Sequence, residues 1–225
     1  MERIIATAVF LTAFLTGCEG EFPTNSTQHQ KAEKAYDSER LKRSLADIEA
    51  WHNEFKTSLT NSLREGISVM SIETAFSDQE CKPNDELKVL WSWRNGENSP
   101  LPFVWYHDFL SMEEAQAEYK GLLLNPLIRW DPNFIPVFTF EGEWYAHYCG
   151  PGSDIAGPVV HFFLEDEPQV THTNMTTFLS SMAEALQSGA VSWKNEAMVD
   201  DIGKIYRIHQ KHNPGLTFPY YVPED

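Results

Sequence analysis

Positive charge is scarce in this chain. Seventeen lysines and arginines stand against 33 aspartates and glutamates over 225 residues, a formal net charge of −16. Such a surface repels phosphate backbones and anionic headgroups, so nucleic acid is not expected as a partner, and a basic protein is favoured. Cysteine is scarce too, with three in the chain, and none has the CxxC or close histidine spacing of a zinc site. Catalytic signatures are missing: no G-x-S-x-G, no H-E-x-x-H, no P-loop, no G-x-G-x-x-G after a strand. No catalytic residue, metal or cofactor is therefore expected. Long apolar runs are missing except at the start.

That run, Ile4 to Leu15, is uncharged and too short to span a bilayer, which takes roughly 20 apolar residues. It has the length of a signal-peptide core. Leu15-Thr16-Gly17-Cys18 follows and resembles a lipobox, in which small residues precede a cysteine that accepts a lipid. Residues 1–17 read as a lipoprotein signal, and Cys18 as the lipidation site that tethers the chain to a bacterial membrane. Glu19, rather than aspartate, favours the periplasmic side of the outer membrane. Residues 18–36 are polar and read as a flexible tether. Residues 37–195 read as one folded domain, and 196–225 as a C-terminal helix and extended tail.

Within the domain, Leu41, Leu45, Ile48, Phe55, Leu59 and Leu63 recur at three- and four-residue steps. With Trp51 they predict a long amphipathic helix, capped by Asp37 or Ser38 and ended by Gly66. Short helices are predicted at Ser71–Phe76 and Asn84–Arg94, the latter closed by an Asn95-Gly96 turn. Phe103 to Tyr106 reads as a strand. Ser111 and Glu114 form a capping-box pattern for a helix over Met112–Leu123. Phe134–Phe140 and Trp144–Cys149, joined through Glu141-Gly142-Glu143, read as a hairpin, with an edge or bulge at Pro136. Strands follow at Val159–Leu164 and Gln169–His172. Asn174 caps a helix over Met175–Gln187, and one more helix is predicted over Met198–Lys211. Helices, then a small antiparallel sheet, then helices make an α+β domain.

Cys81 and Cys149 leave two readings open: a disulfide formed in an oxidising compartment, or two buried thiols. His147, His161 and His172 read as hydrogen-bonded strand histidines, and His209 and His212 as surface residues. The acidic turns Glu141, Glu143 and Glu165-Asp166-Glu167 read as either solvated corners or a rim that steers a cationic partner. Trp105, Tyr106, Trp144 and Tyr145 flank them. Successive strand residues face opposite ways, so one of each pair is expected in the core and the other exposed as a binding anchor.

Four segments carry a likeness to a known family. They are Leu90-Trp91-Ser92-Trp93-Arg94-Asn95-Gly96, Leu110 to Ala115, Trp130 to Val137, and Pro158-Val159-Val160-His161 followed by the Phe178–Gly189 helix. In this order the chain resembles the SUKH superfamily, of the Smi/Knr cell-wall-assembly-regulator type, over roughly residues 41 to 193. One departure is His147-Tyr148-Cys149, where relatives often carry an aspartate. The resemblance implies an α+β fold with a central sheet and a binding cleft, and no enzymatic activity. It also implies an immunity protein that neutralises a toxin by binding it. Typical immunity members meet nuclease toxins in the cytoplasm, whereas a lipid-anchored chain works outside it. The alternatives are a regulatory or structural envelope protein linked to cell-wall assembly, or a cell-wall hydrolase with paired carboxylates.

Overall fold

The computed structural model describes residues 26–55, 59–98, 103, 106–164, 167–194 and 197–220. Cys18, Trp105, Glu165 and Asp166 lie outside the described residues. Helix α1 (Ser26–Ala35) occupies part of the segment expected as a tether, with Ala32 fully buried. The Asn174 side-chain amide donates to the Ala32 carbonyl at 2.8 Å. Asp37 caps α2 (Ser38–Glu54), its carboxylate accepting from the Glu39 and Arg40 backbone N–H groups. Leu41, Leu45, Ile48 and Trp51 form its buried stripe. The apolar period runs on past the helix, but the helix itself stops at Phe55. A short α3 (Leu59–Ser62) and a strand, β1 (Leu63–Glu65), come next.

Ser68 caps α4 (Val69–Ala75), and Asn84 caps α5 (Asp85–Trp93). The expected Asn95-Gly96 turn is instead strand β2 (Arg94–Glu97), paired antiparallel with β1. Gly96 has φ +78°, and a Cβ there would run into the backbone nitrogen of Ser111, so two physical demands fall on this glycine. Two residues of the strand expected at 103–106, 104 and 105, lie outside the described residues; Tyr106 takes a left-handed turn at φ +71°, and a strand, β3 (Asp108–Phe109), follows. Helix α6 (Met112–Leu124) opens with the expected Ser111/Glu114 capping box.

Strands β4 (Phe134–Phe140) and β5 (Glu143–Tyr148) form the expected hairpin. Its tip is Glu141-Gly142, at φ +40° and +92°, the positive pair that a two-residue type I′ connection needs. The register shifts between Pro136 and Phe138, which places a bulge at the proline. Strands β6 (Val159–Phe163) and β7 (Gln169–His172) continue the meander, giving one antiparallel sheet in the order β3-β4-β5-β6-β7. Asn174 caps α7 (Met175–Gln187) in a second capping box, and Gly189 (φ +70°) follows its end. Met198 lies in a hairpin, β8 (Val191–Lys194) with β9 (Ala197–Asp200), so the last helix, α8 (Ile202–His212), starts later than its predicted Met198.

The fold is α+β. Helix α7 covers one face of the sheet, its Phe178 ring 5.4 Å from Phe138 and 4.9 Å from Tyr145. Helices α2 and α8 pack on α7 in turn. The other face is covered by α6 and the chain after it, with Trp130 against Phe162 at 4.3 Å. Ile205 and Ile208 of α8 belong to the same hydrophobic core. Phe218 packs on Tyr206 and His209, and holds the tail against that core.

Candidate functional site

Burial on both faces of the sheet corrects the expectation about the aromatic pairs. Trp144 and Tyr145 do point to opposite faces, yet both are buried. The Trp144 indole N–H donates to Glu118 at 2.9 Å and its ring meets Trp130 edge-on. Neither residue is an exposed anchor. Tyr106 is exposed, and its hydroxyl donates to Asp200 Oδ2 at 2.8 Å. Burial and the Asp200 carboxylate push this hydroxyl up to about 12, and burial raises Asp200 against the opposing Tyr106 bond. Glu141 and Glu167 are exposed at their turns, and Glu143 is half-buried.

The exposed apolar surface lies elsewhere. Leu124, the last residue of α6, and Leu127 just past it are 83% and 88% exposed; Phe163 ends β6, and Leu164 follows it. A groove of about 400 Å³ runs between these elements, lined by Leu127, Arg129, Phe163, Leu164 and Glu167, with Trp144 and Phe162 also reaching it. Sequence reasoning did not single out Leu124 or Leu127, because nothing local says which elements stop short of covering them.

A second cluster sits on the α7 side of the sheet. His161 Nε2 lies 3.2 Å and His107 Nε2 3.5 Å from the same oxygen, Glu143 Oε2. The Tyr145 ring stands between the imidazoles, with centroids 4.8 Å from His107 and 5.0 Å from His161. The Tyr145 and Tyr220 hydroxyls are 3.0 Å apart, and burial raises both. A cavity of about 150 Å³, lined by Glu143, His161, Glu167, Gln169 and Tyr220, reaches the cluster. His107 escapes sequence reasoning, since it meets Glu143 only through the pairing order of β3, β4 and β5.

Glu86 is the most heavily bonded acid. It is fully buried in α5 and reaches the N-terminus of α7. The backbone N–H groups of Met175 and Thr176 donate to it at 3.2 and 2.7 Å, the Thr176 hydroxyl donates at 2.7 Å, and His147 Nε2 lies 3.1 Å away. Free N–H groups at a helix start attract an anion. The acids opening α5 read in sequence as partners of their own helix dipole, but Glu86 serves another helix. Glu97 is buried too, and burial pushes its carboxyl up to about 8, against hydrogen bonds from the Phe109 and Phe103 N–H groups.

The remaining histidines are mostly internal. His147 and His172 are buried and hydrogen-bonded. His209 is also buried, its Nε2 at 2.8 Å from the Thr171 carbonyl, which corrects its placement at the surface. Burial lowers both His172 and His209. His212 bridges Arg40 and Glu184 across α2, α8 and α7. Cys81 and Cys149 are joined in a disulfide, with their Cα atoms 5.3 Å apart.

No family model matches the chain, and no curated protein matches it. Its likeness to the SUKH superfamily is carried by the four sequence segments alone. Among the described residues, no helix is long and apolar enough to cross a membrane.

Proposed function

We propose that this protein is a non-enzymatic binding module. Cys18 carries the lipid that tethers it to the cell envelope, and its groove between the end of α6 and the end of β6 takes a basic protein, in the manner of an immunity factor that occupies a toxin. The observation that carries the reading is the exposed Leu127 and Leu164, which line the groove together with Glu167, on a chain of net charge −16. Apolar anchors supply affinity and the surrounding acid supplies steering. Covering a leucine contributes roughly 1.5–3 kcal/mol, so two such anchors are worth several orders of magnitude in affinity. The SUKH-like segments support the same class of function, and location outside the cytoplasm argues against a nuclease as the target.

The test is co-expression with the product of each neighbouring gene. Protection from a toxic basic neighbour, lost in Leu127→Asp and weakened by salt, is the expected result. If no neighbour is neutralised, and a photocrosslinker at position 127 captures no basic protein in the envelope, the reading fails. A regulatory role in cell-wall assembly is the second reading, and it rests on the same likeness. It is favoured if the crosslinked protein belongs to the wall-building machinery.

A further inference from the structure

We infer that His107, Glu143 and His161 form a binding site for a divalent transition-metal ion, with zinc as the best fit. The three residues come from different parts of the sheet: His107 from the residue before β3, Glu143 from the start of β5, and His161 from the middle of β6. Their donor atoms nevertheless all lie within 4.8 Å of one another. Two donor separations are 3.2 and 3.5 Å. A tetrahedral zinc with bonds of about 2.05 Å has ligand–ligand edges of about 3.3 Å, so these two edges already match it. The third separation is within 4.8 Å, so the two imidazoles close by at most about 1.5 Å when one ion is bound.

The chemistry of the donors points the same way. Two imidazoles and one carboxylate suit zinc and other first-row divalent ions rather than calcium or magnesium, which prefer oxygen ligands alone. The surroundings fit a built site. His107 is buried, and the Tyr145 ring packs beside both imidazoles at tilts of 55° and 50°, which restricts how far either ring can turn. The cavity lined by Glu143, His161, Glu167 and Tyr220 gives an ion a path inward and leaves room for a water as fourth ligand. Glu167 at that cavity and the chain's overall negative charge draw cations toward it. The other close histidine–carboxylate groupings differ in kind. Glu86 already receives the backbone donors of α7, and Glu184 already binds Lys211 and His212 at the surface.

None of the three ligands lines the groove, although Glu167 borders both, so metal binding and partner binding are tested separately and either proposal survives failure of the other. The experiment uses the full folded chain, stripped with chelator and dialysed against zinc chloride, with bound metal counted by elemental analysis. One zinc per chain is expected, together with a rise in melting temperature on adding zinc. Cobalt in place of zinc is expected to give the strong visible bands of a tetrahedral ion. His161→Gln and Glu143→Gln are expected to weaken binding at least tenfold while keeping the far-UV spectrum of the fold. Glu143→Gln preserves side-chain shape, so it remains informative if the histidine variant does not fold. His212→Gln, at the surface grouping, is expected to leave the stoichiometry unchanged. Failure to retain zinc, or equal retention by His161→Gln and Glu143→Gln, would overturn the site and leave the three residues as a hydrogen-bonded cluster.

Discussion

Replacing Glu86 with alanine tests the claim that a side chain from one helix completes another. In the native fold two backbone N–H groups, one hydroxyl and one imidazole converge on its carboxyl group, and both Glu86 and His147 side chains are wholly out of water. Alanine leaves the two N–H groups and the hydroxyl without this buried acceptor, and each stranded donor costs about 1–3 kcal/mol. The losses are not additive, since they share one group and the cavity relaxes. Removing one partner of a buried polar pair typically costs about 3–5 kcal/mol in total. For a domain of this size each kcal/mol lowers the melting temperature by roughly 2–4 °C, so Glu86→Ala is expected to melt about 6–20 °C lower. Glu86→Gln keeps an acceptor for Thr176 but loses the charge facing the α7 N-terminus, and is expected to cost about half as much. The assay is thermal denaturation at neutral pH, followed by circular dichroism. A loss below about 3 °C for Glu86→Ala would refute the reasoning, because it would mean that α7 caps itself through Asn174 and Thr177 alone.

Four further outcomes are expected. Glu97 carries a folded-state pKa raised to about 8 by burial, so it binds protons more tightly folded than unfolded. Its stabilising contribution is full below about pH 4.5 and is lost as pH rises through 8; Glu97→Gln is expected to flatten denaturation midpoints measured across that window. Reducing the Cys81–Cys149 bridge, which spans 68 residues, releases about 4 kcal/mol of chain constraint, visible as a lower urea midpoint with dithiothreitol. Glu141→Asn is expected to stabilise the hairpin by about 0.5 kcal/mol, because asparagine tolerates the positive φ that Glu141 adopts; an unchanged or lower urea midpoint would count against the type I′ turn. Cys18→Ala is expected to shift the protein from the membrane fraction to the soluble one, and retention at the membrane would sink the lipid-anchor proposal.

The readable parts of the fold were those whose causes are local. Ser111 with Glu114, and Asn174 before Met175, gave helix starts because a cap acts over three residues. Alternation placed Trp144 and Tyr145 on opposite faces correctly. It did not reveal that both faces are covered, since α7 and α6 come from distant segments. Phe55, Leu59 and Leu63 continue the period of α2, yet α2 stops at Glu54 and Leu63 opens β1, whose pairing with β2 is a long-range contact that the period does not reveal. Met198 reads into the last helix because β9 is short, and its pairing with β8 leaves no local mark in the sequence. The His107–Glu143–His161 cluster depends on strand order and register across β3 to β6. Those are set by long-range pairing, and no window of sequence contains them.

The pairing of α2 with α7 also bears on how the chain is made. The apolar stripe of α2, Leu41, Leu45 and Ile48, finds cover in a helix that begins about 130 residues later in the sequence. A ribosome or a translocation channel delivers the N-terminal end first, so that stripe emerges long before its cover. The sheet, by contrast, joins neighbours in strict sequence order and closes as each strand appears. The α2 stripe is therefore the surface a holding chaperone would grip during synthesis, and its release is timed by the arrival of α7.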